Sequence, residues 1–207
     1  MKKALIVFGT RPEAIKMAPV VKAFKNSYHF EIKVCVTAQH REMLDQVLQF
    51  FDITADYDLD LMKPNQNLYN LTGEIINGLK PILEEFSPDF LLVHGDTTTT
   101  MAASIAGFYS GAKVCHVEAG LRTFNKYAPF PEEINRQITA RIADFHFAPT
   151  EQSKKNLLDE NISEDNILVT GNTVIDALLD GVEKVKNIDN KQIEMLKNFK
   201  EIGRAHV

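Results

Sequence analysis

The sequence has only two cysteines and no CxxC motif among its 207 residues. Cys35 and Cys115 each lie inside an apolar run, and neither is surrounded by a Cys/His spacing typical of a metal site. A disulfide-stabilised secreted domain is therefore disfavoured. We expect core thiols in a reducing cytoplasm, and no bound metal.

Blocks of Lys or Arg are also lacking. The formal net charge is -5, and acidic and basic residues are interspersed along the chain. The sequence thus has no electrostatic footprint for nucleic acid or an anionic membrane. The apolar stretch at the N-terminus is too short for a signal peptide or a membrane span, and it predicts a buried first strand. We expect neither nucleic acid nor a membrane as a partner.

The apolar residues occur in short, nearly continuous runs, which are typical of strands buried on both faces. These runs are residues 5–8, 32–36, 90–93, 114–117 and 145–148. Helical patterns lie between them, at residues 14–24, 42–50, 68–85, 101–109 and 132–143. Repeated alternation of strand and helix predicts an α/β fold with a doubly wound parallel sheet.

Polar loops follow four of the predicted strands: GTRPE at 9–13, TAQHR at 37–41, GDTT at 95–98 and EAGLR at 118–122. Ligands of such sheets bind at the carboxyl ends of the strands. We therefore expect a shared edge that carries Arg11, Lys16, Gln39, Asp96 and Glu118. The sequence lacks GxGxxG after the first strand and contains no GxxxxGK[ST], which disfavours a dinucleotide-binding Rossmann fold and a P-loop NTPase.

Six segments, in order, resemble the motifs of the non-hydrolysing UDP-N-acetylglucosamine 2-epimerases. They are FGTRPEAIKMAP at 8–19, TAQHR at 37–41, VHGDTTT at 93–99, HVEAGLR at 116–122, PEEINR at 131–136 and TGNTVID at 170–176. The resemblance covers about residues 3–180 and implies the N-terminal domain of a two-domain, glycosyltransferase-B-like architecture. It also implies reversible interconversion of UDP-N-acetylglucosamine and UDP-N-acetylmannosamine without NAD or metal, by a homodimer when the protein is full length.

The implied chemistry is elimination of UDP to give 2-acetamidoglucal, followed by re-addition of UDP with the proton delivered to the opposite face. Acid/base groups are then needed on both faces, and carboxylates whose pKa values are raised by burial or by one another could serve. The catalytic candidates are Asp96, Glu118 and Glu132.

Each carboxylate also has a purely structural interpretation. Asp96 could be the N-cap of the following helix, and Glu118 could be a solvated residue beyond a strand, although its apolar neighbours at the predicted ligand edge favour function. Glu132 and Glu133 could offset a helix dipole. The resemblance supports a role for Glu132 and not for Glu133, so we expect Glu133→Gln to leave activity near that of wild type.

Other polar residues are assigned in the same way. Arg11 and Lys16 lie at and near the start of the first helix, where they suit a diphosphate or another uridine-bearing anion, with ordinary surface charge as the alternative. Thr10 and Glu13 have the spacing of a capping box, and His94 and His116 are expected to be core residues. By resemblance, Gln39, His40 and Glu132 form a candidate regulatory site.

The domain prediction is residues 1–171 for the sheet domain and 172–200 for a linker helix, which leaves that domain, with the start of a UDP-binding C-terminal domain. Residues 201–207 have no periodicity, and the last six can be encoded by a sequencing adapter, so we expect a non-native tail. We expect this chain alone to be inactive. Two alternatives remain open: a glycosyltransferase of the same architecture, and a non-catalytic nucleotide-binding or dimerising fragment.

Overall fold

The computed structural model describes residues 1–38, 41–61 and 66–186, with Arg41 and Glu42 described by their backbone only. Gln39, His40, the predicted linker residues after 186 and the segment 201–207 lie outside these ranges. The strands of the described residues are β1 (Lys2–Phe8), β2 (Phe30–Val36), β3 (Tyr57–Asp58), β4 (Phe90–His94), β5 (Lys113–Val117), β6 (Phe145–Ala148) and β7 (Ile167–Val169).

Helices separate most of these strands. They are α1 (Arg11–Lys25), α2 (Arg41–Phe50), α3 (Leu68–Phe86), α4 (Thr98–Ser110), α5 (Glu132–Ile142), α6 (Glu151–Asp159) and α7 (Val174–Lys186), with a 3₁₀ turn at Glu164–Asn166 before β7. None of the helices in the described ranges combines the length and the apolar composition that a bilayer span requires.

The strands form one parallel sheet in the order β3-β2-β1-β4-β5-β6-β7. Ile6 and Phe8 of β1 pack with α1 and α2 on one face, whereas Leu5 and Val7 pack with α3 and α4 on the other. The chain moves outward from β1 to β3 and then returns to β4 on the other side of β1. This reversal is the position at which doubly wound sheets bind ligands.

The five predicted strands and five predicted helices are confirmed, with ends that differ by a few residues. Strands β3 and β7 were not predicted, because two or three residues are too few to show a period. Helix α6 was not predicted either, because its nine residues are mostly polar and show no apolar face. Helix α7 begins at Val174, within the predicted linker segment 172–200. It lies against α1, where Lys22 Nζ donates to Asp180 Oδ1 at 2.8 Å.

Two histidines lie in the core beneath the site edge. His116 and His146 are register partners on β5 and β6, with exposed fractions of 0% and 1%. The Nε2 atom of His116 is 2.7 Å from the carbonyl oxygen of Gly95. Burial lowers the pKa of His116 to about 3 and that of His146 to about 4. The expectation that His116 is a core residue is therefore confirmed.

The loop between β5 and α5 is held by one buried carboxylate. Glu133, with an exposed fraction of 0%, accepts the backbone N–H groups of Thr123 and Phe124 at 3.0 and 3.2 Å. It also accepts hydrogen bonds from Gln137 and Arg136. Burial raises the pKa of Glu133, but these hydrogen bonds outweigh it and keep the pKa below its usual value. This environment gives Glu133 a structural role, and the expected activity of Glu133→Gln stays a prediction.

We expect the free energy of unfolding to fall as the pH drops from 7 to 5. The unfolded chain protonates both histidines below about pH 6.5, whereas the folded chain keeps them neutral down to about pH 4 and 3. The unfolded state therefore binds more protons than the folded state between pH 7 and pH 5. For each of the two histidines, the free energy of unfolding should be about 2 kcal/mol lower at pH 5 than at pH 7. Urea titrations at pH 7, 6 and 5 measure the change. The exposed His29 provides a control, since His29→Gln should leave the pH slope intact; a flat profile would contradict neutral burial.

Glu133→Gln should destabilise the fold by about 1–3 kcal/mol, because the new side-chain NH₂ group would face the N–H groups that now donate to the carboxylate. The partly exposed Glu132 gives the matched comparison, since it has no hydrogen-bond partner among the described residues. Urea denaturation of the two variants measures the difference. If Glu132→Gln and Glu133→Gln unfold at the same midpoint, the loop is not anchored through Glu133.

Candidate functional site

The loops after β1 and β4 meet at the chain reversal and are joined by Glu13. Its Oε2 atom accepts the backbone N–H groups of Gly9 and Thr10 at 3.0 and 2.7 Å. Its Oε1 atom accepts the hydroxyls of Thr97 and Thr100 at 2.7 and 3.2 Å. The predicted capping box of Thr10 and Glu13 is confirmed. Glu13 therefore serves α1 and also fixes the two loops relative to each other.

Gly9 lies where the first loop passes closest to its neighbours. A Cβ atom at this position would lie 2.0 Å from Thr37 Oγ1 and 2.6 Å from Thr99 Oγ1. Those two hydroxyl oxygens are 3.0 Å apart and share a hydrogen bond. Only glycine lets the loop after β1, the loop after β2 and the start of α4 come this close together.

Two neighbouring strands end in residues with a left-handed backbone. Gly95 follows β4 with φ 71°, and Glu118 follows β5 with φ 62°. The backbone N–H of Gly95 donates to the carbonyl of Val117 at 2.9 Å, which ties the two strand ends together. A residue other than glycine is uncommon in this region, and it persists where the surrounding structure fixes it. The backbone conformation of Glu118 is therefore held by the structure around it.

Lys16, His94 and Glu118 form a cluster at this edge. Lys16 Nζ donates to both carboxylate oxygens of Glu118, at 2.8 and 2.6 Å. His94 Nε2 lies 3.5 Å from Glu118 Oε2. The side chains of Lys16, His94 and Glu118 are 24%, 4% and 12% exposed. The structure thus brings together two predicted site residues, which lie 102 positions apart in the sequence.

Glu118 is an ionised carboxylate in this arrangement. Burial raises the pKa of Glu118, but His94 and Lys16 outweigh that effect and hold the pKa at about 2. In this half of the protein the pKa of Glu118 is therefore lowered and not raised, because Lys16, 102 positions away in the sequence, is its unforeseen partner. In this state the carboxylate is a weak base.

Asp96 lies on the adjacent loop and is paired with Arg136 of α5. Arg136 Nε and Nη2 donate to Asp96 Oδ2 at 3.0 and 2.6 Å, and Asn135 Nδ2 donates to the carbonyl of Asp96 at 2.9 Å. The N-cap of α4 is Thr97, whose side chain accepts the N–H of Thr100. Asp96 is thus no N-cap, and its carboxylate remains available at the edge that carries Glu118.

The remaining predicted residues are less closely associated. Arg11, the first residue of α1, lines a separate apolar groove of about 630 Å³ between α1, α2 and α7. Among the described residues, Glu132 makes no hydrogen bond or ion pair with Asp96, Glu118 or Lys16. Gln39 and His40 lie outside the described residues. In the part of the chain that the structure describes, no group of three or more His, Cys, Asp or Glu could hold a metal ion.

Sequence reasoning missed two residues that shape the site. His94 is 3% exposed, so the expectation that it is a core residue is confirmed, but its position beside Glu118 was not predicted. Its place at the end of β4, one position before Gly95, was the available signal. Arg136 received no role. The sequence carries no sign of its pairing with Asp96 across 40 positions.

Comparison with known proteins identifies the family. Residues 22–203 match the family model described as UDP-N-acetylglucosamine 2-epimerase. The UDP-N-acetylglucosamine 2-epimerase of Salmonella typhimurium strain LT2 is 59% identical over 197 residues, which cover 95% of this chain and 52% of the relative. The enzyme of that name from Neisseria meningitidis serogroup A is 61% identical over 184 residues, with 89% and 50% covered. This chain spans about half the length of these curated relatives.

Solved structures show the same relationship. The crystal structure of UDP-GlcNAc 2-epimerase from Neisseria meningitidis bound to UDP-GlcNAc matches with a TM-score of 0.89 at 58% identity, over 95% of this chain and 54% of that one. The enzyme from Methanocaldococcus jannaschii in complex with UDP-GlcNAc and UDP matches with a TM-score of 0.86 at 33% identity, over 96% and 53%.

A more distant match extends the comparison to the fold alone. Acinetobacter baumannii MurG has a TM-score of 0.55 at 12% identity, over 82% of this chain and 46% of that one. The parallel sheet and these neighbours confirm the α/β fold of a glycosyltransferase-B-like N-terminal domain. With a family model that matches most of its residues, this chain belongs to the UDP-N-acetylglucosamine 2-epimerase family.

Proposed function

We propose that this chain is the N-terminal half of an enzyme that interconverts UDP-N-acetylglucosamine and UDP-N-acetylmannosamine without releasing the free sugar. The observation that carries the proposal is the placement of Glu118 and Asp96 on adjacent loops of one sheet edge, beside Lys16. Family membership supports the reaction, and the UDP-GlcNAc bound to the relatives described above supports the substrate.

The reaction inverts the carbon that bears the N-acetyl group, C2. Removal of the C2 proton to leave a free carbanion is difficult, because that proton has very low acidity. Loss of UDP from C1 avoids the carbanion. In the proposed route a base takes the proton, the C–H electrons form a C1=C2 double bond, and the C1–O bond breaks with its electron pair leaving on UDP. A proton is then delivered to the opposite face of C2 while a UDP oxygen re-forms the bond to C1.

Asp96 and Glu118 are the proposed acid/base pair, with Glu132 as a third candidate. One group on each face of the sugar is required, and groups on two separate loops can flank a ring bound between them. Glu118 needs a higher pKa than it has beside Lys16. Binding of substrate is proposed to provide that change.

The diphosphate of the substrate is the proposed trigger. Arg11 and Lys16 lie on the first two turns of α1, and both are cations that can pair with an anion. Of the two, Lys16 lies at the site edge beside Glu118. A diphosphate that recruits the ammonium of Lys16 weakens its ion pair with Glu118. The pKa of Glu118 then rises, because only His94 still offsets the effect of burial once Lys16 is withdrawn.

Several wider features belong to the same proposal. We propose a cytoplasmic homodimer that supplies UDP-N-acetylmannosamine for polysaccharide biosynthesis, with Gln39, His40 and Glu132 at a regulatory site.

Residues 1–171 are the proposed sheet domain. Residues 172–200 are the proposed connection to a UDP-binding half, and residues 201–207 a non-native tail. A complete cleft excludes water and retains the departing UDP, so the 207-residue chain alone is expected to be inactive.

Incubation of the full-length enzyme with UDP-N-acetylglucosamine alone in deuterated water tests the reaction. Deuterium should appear at C2 of both sugar nucleotides, because the proton lost on one face is replaced from solvent on the other. Proton NMR measures the exchange, and the 207-residue chain provides the truncated control. Free N-acetylmannosamine with UDP would indicate a hydrolysing epimerase, and absence of any change without an acceptor would favour a glycosyltransferase.

Glu118→Gln and Asp96→Asn should each lower kcat of the full-length enzyme by about a hundredfold or more, as expected for loss of an acid/base group. Steady-state kinetics measure the effect. Glu164→Gln is a matched control, because Glu164 is also paired with a lysine, Lys154, but is 70% exposed and lies away from the site edge. Unimpaired turnover of Glu118→Gln would remove Glu118 from the mechanism.

A further inference from the structure

Arg136 is a charged residue to which the proposed mechanism gives no direct part. Its guanidinium lies between two carboxylates: Nε and Nη2 donate to Asp96 Oδ2, and Nη1 donates to Glu133 Oε2 at 3.1 Å. The Arg136 side chain is 13% exposed. Because hydrogen bonds reach it from both sides, the guanidinium plane has little freedom to rotate.

Both hydrogen bonds from Arg136 to Asp96 reach the same carboxylate oxygen. The other oxygen, Oδ1, accepts no hydrogen bond from any residue that the structure describes, and the side chain is 28% exposed. An acid/base group needs a fixed orientation and one oxygen free for the substrate. Arg136 meets the first need without interfering with the second.

Helix α5 also holds the main chain of Asp96. Asn135, adjacent to Arg136 and 3% exposed, donates its side-chain amide to the carbonyl of Asp96 at 2.9 Å. The opposite side of the Arg136 guanidinium is fixed by Glu133, which is itself fully buried and bonded to the β5–α5 loop. Backbone and carboxylate of Asp96 are thus both positioned from one helix.

We infer that Arg136 is a positioning residue for Asp96, and that it acts in catalysis through this carboxylate and not through contact with the substrate. This inference rests on the proposed function. The planar guanidinium group holds Nε and Nη2 side by side, so that both can donate to Asp96 Oδ2. A lysine at 136 supplies the charge but only a single ammonium, so it reproduces the geometry incompletely.

The test compares Arg136→Met, Arg136→Lys, Asp96→Asn and the double variant Asp96→Asn/Arg136→Met in the full-length enzyme with UDP-N-acetylglucosamine. Arg136→Met should lower kcat by about tenfold or more and leave KM within about twofold, with Arg136→Lys intermediate. The double variant should be no slower than Asp96→Asn, because residues that act as a unit are not additive. Guanidinium ion at low millimolar concentration should restore part of the kcat of Arg136→Met and none of that of Asp96→Asn.

Arg122→Met is the matched control for loss of a buried arginine. The Arg122 side chain is 0% exposed, and its Nε and Nη2 atoms donate to Glu160 at 2.6 and 2.8 Å. This variant and Arg136→Met should both unfold at lower urea than wild type, because each leaves a carboxylate without its partner. Its kcat should stay within about twofold of wild type and show no response to guanidinium, since a purely structural loss does not reach Asp96.

The outcomes separate the inference from the proposed function. A raised KM at unchanged kcat in Arg136→Met would assign Arg136 to substrate binding and overturn the inference. Losses that multiply in the double variant would also overturn it, because Arg136 and Asp96 would then act independently. A full-length wild type that forms no UDP-N-acetylmannosamine overturns the proposed function and the inference together.

Discussion

The site depends on one buried carboxylate that joins two loops. Glu13 is 2% exposed, and it accepts hydrogen bonds from the N–H groups of the β1–α1 loop and from hydroxyls at the start of α4. These loops come from opposite sides of the chain reversal, and strand pairing alone leaves their tips unconnected. By linking them, Glu13 fixes the start of α1, which carries Lys16, relative to the loop that carries Asp96.

A second constraint follows from the cost of burying charge. Glu118 and Asp96 are each partly withdrawn from water, and each is accompanied by a cation, Lys16 or Arg136. A carboxylate in such a place without a partner would take up a proton or move into solvent. The two cations differ in their freedom. Lys16 ends in a flexible ammonium, whereas Arg136 is held on its far side by Glu133. Lys16 is therefore suited to leave Glu118 for another anion, whereas Arg136 is suited to remain bound to Asp96.

The sequence predicted the sheet well, because buried parallel strands are continuous apolar runs and polar loops follow them directly. It also predicted that Lys16, Asp96 and Glu118 share one edge of that sheet. It did not predict which cation pairs with which carboxylate, since the Lys16–Glu118 and Arg136–Asp96 pairs span 102 and 40 positions and leave no periodic pattern. The role of Glu133 was missed for a related reason: a glutamate in the first turn of a helix looks the same whether it is solvated or buried.

The ion pairs also explain why a complete cleft matters for the proposed chemistry. The side chains of Lys16 and Asp96 are 24% and 28% exposed, so water still screens the charges at this edge. A second half that closes over the edge removes this water and strengthens each remaining electrostatic interaction. In the proposed mechanism, closure buries Glu118 further while Lys16 pairs with the diphosphate. A buried carboxylate without its cation has a raised pKa, so Glu118 can then bind a proton. In the proposed mechanism, the low pKa of Glu118 in this half and its action as a base in the closed enzyme are two states of the Lys16–Glu118 ion pair.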